Sequence, residues 1–174
     1  MSEPAFDLAA VRLVAFDVDG VLTDGRLYLD DQGRELHAFH VRDGMGMALA
    51  RRDGLLLVAL SGRDSPGVRA RLQELRVSEI HLGVIDKAQV LSELAQRLQI
   101  PLAQTCFVGD DVNDLAALAI AGRSYAPADA HPRVRAVVHS VTRAAGGHGV
   151  LREILDAIYQ ARKAAAASAS SRQS

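Results

Sequence analysis

The sequence predicts an α/β fold, a three-layer Rossmann-like domain with a mostly parallel sheet, a β-hairpin inserted after the first strand and no separate cap domain. Three observations support it. Near-continuous apolar runs at Leu13–Phe16, Leu55–Leu60 and Thr105–Val108 read as strands buried on both faces. Segments of helical period alternate with them, which makes βαβ units with right-handed crossovers. A polar cluster follows each strong strand, and folds of this kind bind ligands at the carboxyl ends of their strands.

The elements follow in order. After a short leader, Leu13–Phe16 forms the first strand, and the acidic loop Asp17–Gly25 leaves it. Arg26–His40 places Leu27 and Leu29 before a DDQG turn and Leu36, Ala38 and Phe39 after it, which reads as a hairpin. Its apolar side chains either pack back on the domain or meet another subunit. Asp43–Arg52 is a helix ending near Asp53-Gly54, and Leu55–Leu60 is the second buried strand. Ser65–Leu75 is a helix with Ser65 at the N-cap and Pro66 in the first turn. A short strand at Glu79–Leu82 precedes a helix over Asp86–Leu98, whose Val90, Leu91, Leu94 and Leu98 fall at helical spacing. The strand Thr105–Val108, a helix from about Val112 to Ala121, short strands at Ser124–Ala126 and Ala136–Val138, and a closing helix over Val150–Lys163 complete the domain. One domain is expected over residues 8–163, with the hairpin at about 26–40 inside it and a disordered tail at 164–174.

Composition removes several classes of function. A net charge of −1 gives no electrostatic case for binding nucleic acid or an anionic membrane. With 4% aromatic residues and no tryptophan, base-stacking surfaces are not expected either. The single Cys106 cannot form an internal disulfide, which fits a reducing compartment. No signal-peptide pattern opens the chain and no apolar run approaches a membrane span, so a cytoplasmic protein is expected.

The chemistry is concentrated in four places. Asp17 and Asp19 sit two residues apart at the end of the first strand, followed by Gly20. Where the backbone bends on leaving a strand, both carboxylates can enter one pocket, and two like charges there need a cation or a shared proton. Oxygen ligands of this kind suit Mg²⁺; a plain Asp/Gly turn would look the same. Ser61 ends the second strand in LSGRD, where its hydroxyl suits a phosphoryl oxygen or a common Ser-Gly turn. Lys87 opens a helix, where a cation opposes the dipole, so an anion nearby or simple solvation would explain it. Asp110, Asp111 and Asp114 follow the third strand, either as metal ligands or as helix caps.

Together, DVDGVLTDG, Ser61, Lys87 and GDDVND resemble the four ordered motifs of the haloacid dehalogenase (HAD) phosphatase superfamily. The resemblance spans about Val11–Ala157 and implies roles for each. Asp17 is the nucleophile and Asp19 the acid/base. Ser61 and Lys87 bear on the phosphoryl group. Mg²⁺ is held by Asp17, the Asp19 carbonyl and Asp110, with Asp114 supporting the water shell or orienting Lys87.

Further stretches narrow the resemblance: FHVRDGMG, LSGR, GVIDK, ADAHP and TRAAGGHGVLREI look like the subgroup acting on 3-deoxy-D-manno-octulosonate 8-phosphate in lipopolysaccharide synthesis. That subgroup is tetrameric through its hairpins, so a homo-oligomer is implied. The resemblance places His40, Val41, Arg42, Asp43, Gly44, Gly62, Arg63, Arg71 and Lys87 around a small-molecule sugar acid phosphate. Arginine forks suit both its carboxylate and its phosphate, with Arg42 and Arg63 the leading choices. His40 departs from the asparagine expected there. A phosphatase for a nine-carbon sugar acid phosphate and a non-catalytic assembly domain are the competing readings.

Overall fold

The computed structural model describes residues 6–170. Six strands form one parallel sheet: β1 (Leu13–Phe16), β4 (Leu56–Ser61), β5 (Glu79–Leu82), β6 (Thr105–Val108), β7 (Arg123–Ala126) and β8 (Ser140–Val141), ordered β5-β4-β1-β6-β7-β8. The hairpin strands β2 (Tyr28–Leu29) and β3 (Glu35–Leu36) pair antiparallel in a sheet of their own, with Tyr28 opposite Leu36. Helices α1 (Val41–Arg52), α2 (Pro66–Glu74), α3 (Lys87–Arg97), α4 (Leu115–Ile120), α5 (Pro132–Arg135) and α6 (Val150–Ser170) make the outer layers.

The apolar strands serve two cores because successive side chains point to opposite faces. Val14, Phe16, Leu57, Ala59, Cys106 and Val108 pack with Met47 of α1, Leu72 of α2 and Leu151, Ile154 and Ile158 of α6. Leu13, Ala15, Val58, Leu60 and Phe107 pack with Leu91 and Leu94 of α3 and Leu118 of α4 on the other side. Burial on both faces is why β1, β4 and β6 lack polar alternation.

Chain order also fixes where a ligand can sit. From β1 the chain moves to β4 and β5 on one side, then returns to β6 on the other, in register from Leu13↔Thr105 to Phe16↔Val108. The crossovers diverge at β1, leaving a crevice above the carboxyl ends of β1, β4 and β6.

Three expectations need correction. Ala136–Val138 is not a strand. His131 caps α5 through Nδ1 and Pro132 occupies its first turn, so the AVV run falls at and just beyond that helix, and the edge strand forms later at Ser140–Val141. Residues 164–170 are helical rather than disordered; alanine is the best helix former, and Ser168 and Ser170 bond back to the carbonyls of Ala164 and Ala166. The rest of the expected tail, 171–174, lies outside the described residues. Helix α1 also begins at Val41 rather than Asp43, because His40 caps it by accepting the Arg42 N–H on Nδ1.

Candidate active site

Asp17 leaves the end of β1 and is 5% exposed, with its Oδ1 accepting the Val18 N–H at 2.7 Å. Lys87, at the start of α3 and equally buried, places Nζ 2.8 Å from Asp17 Oδ2 and 2.6 Å from Asp114 Oδ1. Asp114 is fully buried and uses both oxygens, since Oδ2 accepts the Asp110 N–H at 3.0 Å. Asp110 follows β6 and faces Asp17, and one oxygen from each of Asp17, Asp110 and Asp114 lies within 4.8 Å of the others.

Two glycines make this approach possible. A Cβ on Gly20 would lie 2.0 Å from Asp110 Oδ2, and Gly20 adopts φ +76°, which glycine takes without strain. A Cβ on Gly109 would lie 2.5 Å from Asp114 Oδ2. No larger residue fits at either position without moving a carboxylate.

The electrostatics are unbalanced, with one lysine facing three carboxylates. Burial, then repulsion from Asp114, pushes Asp17 up to about 7, against the pull of Lys87. Burial and the neighbouring Asp17, Asp114 and Asp111 carboxylates raise Asp110 to about 7. Burial works against the charge on Lys87, but Asp17 and Asp114 outweigh it and hold its pKa above the ordinary lysine value. Asp114 is satisfied within the protein. Asp17 and Asp110 hold surplus negative charge at the crevice, and such a donor set fits a hard divalent cation. Asp19 is half-buried in the adjoining turn, where Val21, Leu22 and Thr23 donate their N–H groups to the Val18 carbonyl.

At the end of β4, Ser61 is 2% exposed, and its Oγ accepts the Arg63 N–H at 3.2 Å, which leaves the hydroxyl proton free to donate. The Ser61 carbonyl accepts the Val84 N–H at 2.9 Å, tying the strand end to the loop that leads to Lys87. Asn113 was not singled out from sequence, yet its amide nitrogen lies 4.0 Å from the Cβ position of Gly62. An amide two residues past an acidic pair gave no signal of its own.

The run His40–Gly44 divides by helix periodicity. Val41 and Arg42 face solvent, with His40 as the cap. Asp43 is fully buried, and its Oδ1 accepts the Arg152 N–H at 2.8 Å at the start of α6. That bond caps α6, and Asp43 has no exposed surface, while its Oδ2 is buried without a hydrogen-bond partner. Burial raises its pKa. Gly44 is buried too, with its Cβ position 3.0 Å from Leu75 and 3.2 Å from the Arg71 guanidinium. Arg71 lies over the Phe39 ring and pairs with Glu74 at 2.8 Å; none of its described contacts reaches the acidic cluster. Arg63 instead reaches the hairpin and pairs with Glu35.

A model for haloacid dehalogenase-like hydrolases matches residues 73–154. The chain is 40% identical over 154 residues to the 3-deoxy-D-manno-octulosonate 8-phosphate phosphatase KdsC of Haemophilus influenzae, covering 88% of this chain and 86% of that protein. This chain belongs to that phosphatase family. The fold agrees. A crystal structure of the Yersinia pestis phosphatase superposes with TM-score 0.88 at 38% identity, covering 90% of this chain and 85% of that one. The Moraxella catarrhalis phosphatase, solved with a magnesium ion, a phosphate ion and KDO, matches with TM-score 0.88 at 34% identity over 95% of each chain. The HAD expectation of a parallel α/β sheet with a hairpin insertion is borne out.

Proposed function

We propose that this chain is a Mg²⁺-dependent phosphatase that hydrolyses 3-deoxy-D-manno-octulosonate 8-phosphate to the free sugar acid and phosphate, in lipopolysaccharide synthesis. The observation carrying this reading is the convergence of Asp17, Lys87, Asp110 and Asp114 above β1 and β6, in a chain whose Moraxella relative was solved with magnesium, phosphate and KDO. Residues 8–163 act as one catalytic domain.

Asp17, the Asp19 backbone carbonyl and Asp110 would hold the Mg²⁺, which would supply positive charge to phosphoryl oxygens and to the two acids. Asp17 attacks phosphorus in line; the new Asp17 O–P bond replaces the bond from phosphorus to the sugar oxygen. Asp19 delivers a proton to that departing oxygen. In the second half Asp19 takes a proton from water, whose oxygen attacks phosphorus and releases Asp17. Lys87, the Ser61 hydroxyl and the Gly62 N–H stabilise the transferring charge. Asp114 keeps Lys87 charged and aimed at Asp17. Arg63 and Arg42 meet the substrate carboxylate.

The enzyme works in the cytoplasm as a homo-oligomer, a tetramer, through the hairpin. Leu27, Leu29 and Leu36 there are each more than half exposed, more apolar surface than a two-strand hairpin leaves to water without a partner. No helix among the described residues is long and apolar enough to cross a membrane.

Phosphate release from 3-deoxy-octulosonate 8-phosphate with Mg²⁺, beside a nine-carbon sugar acid phosphate, tests the reading. Preference for the first is expected, and Asp17→Asn is expected to lower the rate by at least about 10³-fold with the fold retained. Release from neither by folded, metal-loaded protein overturns it.

A further inference from the structure

We propose that Glu35, on the hairpin, is a positioning residue that orients the Arg63 guanidinium to receive the substrate carboxylate, with His37 bracing the pair. The inference rests on the proposed sugar acid substrate.

Glu35 and Leu36 form β3, and nothing in the sequence marks Glu35 as more than a solvated charge. The structure gives both of its oxygens a partner. Oε1 accepts from the Arg63 terminal nitrogen Nη2, and Oε2 lies 3.2 Å from His37 Nε2. The same ring nitrogen lies 2.9 Å from Ser65 Oγ. His37 is inserted closely, its Cδ2 lying 3.2 Å from the Cβ position of Gly67, and its side chain is only 8% exposed.

Ser65 supplies an independent indication. It occupies the N-cap position of α2, where serine ordinarily accepts a helix N–H, yet it makes no side-chain cap hydrogen bond. Its hydroxyl is engaged by His37 instead. The hairpin is thus fastened at two points, Arg63 and Ser65, to the loop that follows Ser61.

What this does to Arg63 follows from its shape. A free arginine loses side-chain entropy on binding, and one anchored by a carboxylate has lost most of it beforehand. Glu35 engages only Nη2, and no other protein acceptor meets the guanidinium among the described residues. Nη2 keeps a second N–H, which runs parallel to an N–H of Nε or Nη1 and completes a two-donor fork that matches a second carboxylate. At the other end, the Arg63 backbone N–H bonds Ser61 Oγ at 3.2 Å, so the residue that would read the acid is tied to the one that meets the phosphoryl group.

Steady-state kinetics separate this role from a merely structural one. The proteins are the wild type, Glu35→Ala, Glu35→Gln, Arg63→Ala and the double variant Glu35→Ala/Arg63→Ala, each confirmed folded by thermal melting. The substrates are 3-deoxy-octulosonate 8-phosphate and a hexose 6-phosphate, which lacks a carboxylate. Glu35→Ala is expected to raise KM for the sugar acid about tenfold, with kcat within about twofold, and to leave kcat/KM for the hexose phosphate within about twofold. Glu35→Gln keeps an acceptor oxygen, so its KM rises only about threefold; it carries the test if the alanine variant fails to fold. On an Arg63→Ala background, loss of Glu35 adds nothing. A change shared by both substrates, a lowered KM for the acid, or full additivity with Arg63→Ala overturns the proposal. A wild type without preference for the acid over the hexose phosphate overturns the substrate reading, and the proposal with it.

Discussion

The acidic centre and the hairpin rim are built in opposite ways. Asp17, Lys87 and Asp114 are almost entirely buried, joined by bonds of 2.6–2.8 Å and set by the ends of β1, β6 and α3. The rim is exposed: Arg63 and Glu35 keep 40% and 31% of their side-chain surface, and β2 and β3 have two residues each. The difference teaches a division of labour. In the proposed function, phosphoryl chemistry common to every substrate is fixed in the buried centre. Recognition of a particular sugar falls to a small insertion outside the six-stranded sheet.

If the division is real, the two regions fail differently. Lys87→Met should have the largest effect on stability, because it leaves Asp17 and Asp114 buried without their cation; a loss of about 3–5 kcal/mol is expected in denaturant unfolding, together with loss of activity. Retained stability would mean that the acids release their charge by taking up protons. Gly20→Ala comes next. The added methyl would displace Asp110, so weaker Mg²⁺ binding by calorimetry and about 10²-fold slower turnover are expected, with a smaller loss of stability.

Next in size is a dependence on pH. Asp17 and Asp110 are raised from 3.8 to about 7 in the folded, metal-free protein. Between those values the folded chain binds more protons than the unfolded one, so stability is full below the ordinary carboxylate value and is lost as pH rises through about 7. The metal-free melting temperature should therefore fall from about pH 5 to about pH 8, and Mg²⁺ should raise it most at the alkaline end. A flat profile would show that burial and mutual repulsion do not raise the two acids as the geometry requires. The smallest effect on the chain itself should come from Leu29→Asp on the hairpin. It should change the melting of the isolated subunit by less than about 0.5 kcal/mol yet shift sedimentation toward smaller species.

How much could be read from sequence follows the same line. Asp17, Ser61, Lys87 and Asp110 were legible because each sits beside an apolar strand or opens a helix of clear period, so its place in a parallel sheet is set by local pattern. The bond Asp43 makes was not legible: the resemblance put it beside the substrate, and only tertiary structure brings it to the Arg152 N–H, 109 residues away. Glu35 was hidden for the same reason, since its partner Arg63 lies 28 residues on. The strand expected at Ala136–Val138 is a different kind of miss. A β-branched run outweighed the His-Pro start of a short helix just before it, a case of local propensity yielding to capping. The Ala-rich end of α6 reads as a disordered tail on its small polar composition, and alanine's helix propensity overrides that composition in the structure.

The two-handed grip of Asp114 has a consequence for anyone wishing to redesign this protein. With one oxygen on Lys87 and the other on the Asp110 N–H, it turns the cationic and anionic halves of the centre into a single mechanical part. No substitution can retune one half while sparing the other. A library that randomised these three positions would consist mostly of dead proteins. One that held them constant and varied the hairpin with the loop after Ser61 would explore new sugars on a catalytic engine that stays intact.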